Sequence, residues 1–74
     1  MSRLNCTYRE FIAILLKNGF AETRQDGSHR QYQAVIGGET KLVTVSTYDG
    51  TNIGLTVLQS MIRQSGLNKK LFRK

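Results

Sequence analysis

Hydrophobic residues near the start of the chain recur at the spacing of one helix face. They fall at i, i+3, i+4, i+7 and i+8, which are neighbouring positions on the surface of an α-helix. These residues are Tyr8, Phe11, Ile12, Leu15 and Leu16. Thr7 and Glu10 have the Thr-x-x-Glu spacing of a capping box, and Asn18-Gly19 supplies a stop signal. The pattern therefore predicts a helix over residues 8–18.

Three shorter segments follow, and turn-forming residues separate them. The segment Phe20 to Gln25 ends at Asp26-Gly27, and the segment Ser28 to Ile36 ends at Gly37-Gly38. The segment Lys41 to Thr47 alternates valines with hydroxyl side chains, as a strand with one buried face does. Both dipeptides are typical of β-hairpins, because glycine adopts the positive φ that tight turns need. Since short turns pair consecutive strands, the segments predict a three-stranded antiparallel meander.

The last part of the chain predicts a second helix after a polar loop at residues 48–52. Helical spacing relates five residues there: Val57, Leu58, Met61, Ile62 and Ser65. Gly66 suits the left-handed cap position, so we expect a helix over residues 54–65. We expect the remaining apolar residues to pack the tail onto the body of the protein: Leu67, Leu71 and Phe72.

The order of elements is α-β-β-β-α, which predicts an α+β fold with two layers in a single domain over residues 1–74. A three-stranded antiparallel sheet buries one face by packing both helices on that face, which leaves its other face open to water or a ligand. The strand residues expected against the helices are Tyr32, Ala34, Val43 and Val45. Strand alternation then puts three polar side chains on the open face: His29, Gln31 and Gln33.

The charge balance narrows the choice of partners. Eleven lysines and arginines against five acidic residues give a net charge of +6, which favours a polyanion or an acidic surface. Cys6 is the only cysteine, so the sequence provides neither a disulfide framework nor a thiol cluster for a metal. No apolar run approaches the ~20 residues of a transmembrane helix. We expect a cytoplasmic protein that has no cofactor and does not bind a membrane.

His29 is the only histidine of the chain, and it follows directly on a predicted tight turn. We expect the sheet to hold this side chain, and an imidazole exchanges protons near neutral pH. Arg24 and Arg30 lie on either side of it in the sequence and are able to attract a phosphate. Together these residues suggest chemistry on a nucleic acid backbone. From the residues alone, the alternative is a solvated hairpin that carries one histidine, because a site needs more than one group.

Several motifs together resemble the HicA toxins of bacterial toxin–antitoxin systems. An Asn-Gly-Phe motif at 18–20 ends the first helix, and Arg-Gln-x-Gly-Ser-His follows at 24–29 with Tyr32 beyond it. The segment 58–67 supports the similarity, which covers roughly residues 8–68. The resemblance implies a fold like that of the double-stranded-RNA-binding domain. It also implies an mRNA interferase that acts without metal and is neutralised by a cognate HicB antitoxin.

Carried over to this sequence, the family's catalytic histidine in Gly-Ser-His is His29, and Gly27 and Ser28 occupy the matching turn positions. The chain departs from the family pattern at two places. Residues 46–48 read Ser-Thr-Tyr where members often carry a proline and a second histidine, so a two-histidine mechanism is out of reach. Residues 53–54 read Ile-Gly where Ile-Pro or Leu-Pro often opens the second helix, so the start of this helix is less constrained.

RNA cleavage without metal uses the 2′-OH as the nucleophile on the adjacent phosphate. It needs a base, an acid and groups that stabilise the charge on the phosphorane. We expect His29 to be the base, while the acid stays open between a tyrosine, a lysine and water. One histidine and scattered acids do not form a metal-ligand set. The candidates for holding the substrate are three cations and two turn residues: Arg24, Arg30, Lys41, Gly27 and Ser28.

Two other functions are consistent with the sequence. An RNA-binding module without cleavage fits the double-stranded-RNA-binding architecture, and loss of His29 should matter little to such a module. A basic protein that occupies an acidic partner surface fits the charge. Its affinity for RNA should vanish at physiological salt.

Overall fold

The computed structural model describes residues 3–46 and 50–73 of the chain. The helices are α1, Tyr8–Lys17, and α2, Leu55–Ser65. The strands are β1, β2 and β3, which span Ala21–Asp26, His29–Ile36 and Glu39–Ser46, and a short 3-10 helix, Lys69–Phe72, follows α2. This is the predicted α+β fold with the order α-β-β-β-α. In the described part of the chain, no helix combines the length and the apolar character that crossing a membrane requires.

Two sequence predictions fall partly outside the described residues. They are the end of the third strand at Thr47 and the first half of the polar loop, Tyr48 and Asp49. Within the described residues, the boundaries of every predicted element lie within two positions of those observed.

The start of α1 is held by the capping box that its sequence predicts. The backbone N–H of Glu10 donates to the Thr7 hydroxyl at 3.1 Å, and the backbone N–H of Thr7 donates to the Glu10 carboxylate at 2.9 Å. Asn18 caps the other end, so the helix ends at Lys17, one residue earlier than predicted. These contacts satisfy backbone donors that a helix end otherwise leaves unpaired.

The sheet has the order β1-β2-β3, with antiparallel pairing throughout. Asp26 pairs with His29, so the first hairpin turns through Gly27 and Ser28. The sequence predicts this turn one residue earlier, at Asp26-Gly27. Only Gly27, at φ +60°, has a positive φ in this turn, which is the pattern of a type II′ hairpin with glycine at the first central position. Asp26 therefore stays in the strand, directly across from His29.

The core lies between one face of β2 and β3 and the two helices. The four strand residues predicted to face the helices are all buried: Tyr32, Ala34, Val43 and Val45. They join one hydrophobic cluster with Phe11 and Leu15 of α1 and Leu58 of α2. Every residue of β1 is exposed, so the helices cover β2 and β3 and leave β1 as an uncovered edge. This arrangement puts His29 and Gln33 on the exposed face of β2, as the alternation predicts.

The packing of α2 and the chain after it differs from the prediction at two residues. Four of the five predicted contact residues of α2 are buried, but Val57 is 51% exposed because it lies at the margin of the buried helix face. In the following segment Phe72 is buried and stacks on Phe11, with ring centroids 4.8 Å apart. Leu71, which the sequence predicts to pack with it, is 46% exposed.

Candidate active site

His29 lies at the junction of all three strands on the open face of the sheet. It is the first residue of β2, and its register partners are Asp26 on β1 and Ser46 on β3. The turn through Gly27 and Ser28 carries the chain directly into this position. The imidazole is therefore exposed to solvent and attached to the central strand of a hydrogen-bonded sheet. A rigid scaffold of this kind is what a proton-transfer group requires.

Two grooves meet at His29. The first, here called the sheet groove, has a volume of about 270 Å³ and is lined by Arg24, Asp26, His29, Gln31 and Thr44. The second, here called the helix groove, lies between the end of β3 and α2 and has a volume of about 410 Å³. Its lining residues are Tyr8, His29, Thr44, Ser46, Thr56, Val57, Ser60, Met61 and Gln64. Since His29 and Thr44 line both grooves, a single extended ligand is able to pass from one groove into the other.

Arg24 is the predicted cation that shares a groove with His29. It pairs with Gln31 in the sheet register, two positions along β2 from His29, so both side chains belong to the open face. A guanidinium at this place is able to bind a phosphate beside the imidazole, by one or two N–H donors.

The structure does not bring Arg30 or Lys41 to His29. Arg30 follows His29 directly on β2, so its side chain lies on the opposite face, where its Nε is 3.5 Å from a carboxylate oxygen of Glu22. Lys41 pairs with Ala34 on the same helix-covered side, and its Nζ is 3.0 Å from Glu39. The physical reason is strand alternation, which sends neighbouring side chains to opposite faces. Of the three predicted cations, only Arg24 lies in a groove with His29.

Several residues around His29 were not singled out from the sequence. Asp26 lies opposite it on β1, and a two-residue hairpin necessarily pairs the residues that flank the turn, so the sequence carried this signal. Ser46 lies opposite on β3, and its buried hydroxyl has no hydrogen-bond partner among the described residues. Tyr8 lines the helix groove, whereas Tyr32 is buried in the core. The α2 side of the helix groove depends on how the helix packs, for which the sequence contains no local signal.

No three His, Cys, Asp or Glu side chains come together as a metal-ligand set within residues 3–46 and 50–73. The chemistry available at this site, as far as it is described, is that of one imidazole with a neighbouring guanidinium and carboxylate.

Comparison with known protein families finds one family model that matches most of the chain. The family model described as the HicA toxin of bacterial toxin–antitoxin systems matches residues 8–67. This chain belongs to the HicA toxin family. The HicA match contains both helices, the whole sheet and the hairpin that carries His29, and it ends before the 3-10 helix. Membership makes the chain the toxin component of a toxin–antitoxin system, with an antitoxin as its partner. No curated protein matches the sequence.

Proposed function

We propose that this HicA-family toxin is an endoribonuclease that cleaves mRNA in the cytoplasm, with His29 as the general base. The observation that carries the proposal is the position of His29, an exposed imidazole where two grooves meet, with Arg24 in one of them. An imidazole is able to transfer a proton, and a guanidinium in the same groove is able to stabilise negative charge on a phosphate.

In the proposed reaction the chain supplies a base and a phosphate ligand. His29 accepts the proton of a ribose 2′-OH, and the 2′ oxygen attacks the adjacent phosphorus. The bond from phosphorus to the 5′ oxygen of the next nucleotide then breaks, and the departing oxygen takes a proton from solvent, which reaches the open groove. The products are a 2′,3′-cyclic phosphate and a 5′-hydroxyl, and the reaction requires no metal ion.

Arg24 is proposed to bind the reacting phosphate from the sheet groove. Its guanidinium stabilises the charge that accumulates on the phosphorane oxygens, more strongly in the transition state than in the ground state. Asp26 carries the same charge sign as the phosphate, so we assign it to orienting the imidazole, which lies opposite it in the hairpin, and not to binding the phosphate. Gly27 and Ser28 form the turn that positions these groups.

The proposed partner is an acidic antitoxin of the HicB type that covers the open face around His29. Blocking the base and Arg24 together is the most direct way for a protein to silence so small a nuclease. The net charge of +6 favours fast, salt-sensitive association with such a partner.

The test is the chemistry of cleavage by the purified wild-type chain. Incubated with single-stranded RNA in excess EDTA, it should produce fragments that end in 2′,3′-cyclic phosphate and begin with a 5′-hydroxyl. Chelation should not change the rate. Products with a 5′-phosphate, or activity that disappears with EDTA, would show that the nucleophile is not the 2′-OH or that a metal takes part.

A further inference from the structure

The side of α2 that faces the helix groove carries a stripe of polar side chains. Thr56, Ser60 and Gln64 are spaced four residues apart, so they lie one above the other on the same helix face. All three are exposed, and none of the hydrogen bonds in the described part of the chain uses their side chains. Their hydroxyl and amide groups are therefore available to a ligand in the groove.

The same groove has apolar walls beside this stripe. Val57 and Met61 line it from α2, and Tyr8 lines it from the first turn of α1. Val57 is 51% exposed although its spacing in the sequence is that of a core residue. A groove with apolar walls and a row of donors and acceptors matches a nucleobase, which has apolar faces and a polar edge. Its volume of about 410 Å³ lies within the ~300–1,000 Å³ of small-ligand sites.

The two grooves differ in the charged side chains that they hold. The described residues that line the helix groove include no lysine, arginine or carboxylate, whereas the sheet groove holds both Arg24 and Asp26. A phosphate is bound best by a cation, and a neutral base by amides and hydroxyls. The two grooves therefore suit two different parts of one nucleotide chain.

We propose that the helix groove is a base-recognition subsite for single-stranded RNA, in which Gln64 and Ser60 bind the edge of one unpaired base next to the cleaved phosphate. This rests on the proposed function, whose reaction needs a nucleotide on each side of the cleaved phosphate. A glutamine amide offers a donor and an acceptor side by side, as the pairing edge of a base does. A duplex hides that edge, so the subsite selects unpaired RNA.

The experiment measures binding in the His29→Ala protein, so that the RNA remains intact. The probes are short single-stranded oligoribonucleotides that carry each of the four bases in turn at one position, with fluorescence anisotropy as the readout. The starting protein should prefer one base, and Gln64→Ala should reduce that preference by roughly tenfold. Ser60→Ala should reduce it less. Gln64→Glu should shift preference towards bases that present an amino group, because a carboxylate only accepts hydrogen bonds.

Gln59→Ala is the matched control. It removes the same side chain from the same helix, but Gln59 lines a different cavity with Leu4 and Lys69. Base preference should be unchanged in this variant. Equal effects of the Gln59 and Gln64 substitutions, the absence of any base preference, or tighter binding of a duplex of the same sequence would each overturn the subsite.

Cleavage by the wild-type chain separates this inference from the proposed function. RNA binding whose base preference depends on Gln64 supports the subsite even if the wild-type chain leaves RNA intact, and that result would overturn only the nuclease. Cleavage with a base preference that Gln64→Ala leaves unchanged would overturn only the subsite.

Discussion

Gly27 holds a backbone conformation that other residues adopt only with strain. Its φ is +60°, and a Cβ added there would meet no atom within 4 Å, so the cost of a side chain is conformational rather than steric. We expect Gly27→Ala to lower the free energy of unfolding by about 1 kcal/mol. Gly54→Ala is the control, because Gly54 has equal space and a φ of −58°, which alanine adopts without strain. Urea denaturation should show a clearly lower midpoint for the first variant and a smaller change for the second. Equal midpoints would contradict a strained turn at Gly27.

The two neighbouring arginines are expected to differ in their effect on RNA. Arg24→Ala should weaken RNA binding several-fold and reduce the salt dependence by about one phosphate contact. Arg30→Ala should leave RNA binding nearly unchanged, because Arg30 pairs with Glu22 on the opposite face of the sheet. Titrations of both variants at several salt concentrations measure this difference. If Arg30→Ala weakens binding as much as Arg24→Ala, RNA does not bind where we place it.

At the scale of single residues, the alternation of side chains along the strands already predicts that Arg30 lies away from His29. The rule that predicts His29 on the open face also puts Arg30 on the other face, since the two are adjacent in β2. Lys41 and Ser46 are separated by an odd number of positions in β3, so they too lie on opposite faces. The charge of Arg30 and Lys41 suggests a role in binding phosphate, but the alternation of the strands separates both side chains from His29.

At the scale of elements, the sequence predicts those features that depend on a few neighbouring residues, such as helix caps and tight turns. The capping box at Thr7, the left-handed cap at Gly66 and the turn at Gly37-Gly38 all appear where the sequence puts them. The turn at Gly27 lies one residue later than the sequence predicts. A type II′ hairpin needs a positive φ only at its first central residue, so Gly27 takes that position and Asp26 stays in the strand. The helix groove was not predictable, since it arises from the way α2 packs against β3 over a distance that no local pattern encodes.

The 3-10 helix after α2 contributes Phe72 to the core although it lies beyond the family match. Phe72 is buried against Phe11, and the backbone N–H of Asn5 donates to its carbonyl oxygen at 3.2 Å. Phe72→Ala should lower the free energy of unfolding by about 3 kcal/mol, the usual cost of deleting a buried ring. Phe72→Leu should cost less than half as much, because it leaves a smaller cavity. Chemical denaturation checks both, and a Phe72→Ala protein of wild-type stability would mean that this segment does not pack on α1.

At the scale of the whole molecule, the residues that stabilise the fold are distinct from the exposed residues that form the candidate active site. The helices bury one face of β2 and β3, and the open face carries His29 and the sheet groove, while the helix groove lies beside them between the end of β3 and α2. The net charge of +6 favours association with polyanions and with acidic protein surfaces. Substitutions of the exposed residues that line the two grooves should therefore change activity while leaving the fold intact.

The cleavage rate of the His29→Ala protein tests the central claim most directly. The rate constant on single-stranded RNA should fall by roughly 10²–10⁴-fold, the share of a positioned proton-transfer group. The unfolding midpoint should stay unchanged, because His29 is exposed. Gln33→Ala is the control, since Gln33 is exposed on the same face of β2 outside both grooves, and it should keep the wild-type rate. A folded His29→Ala protein that cleaves RNA at the wild-type rate would contradict the account.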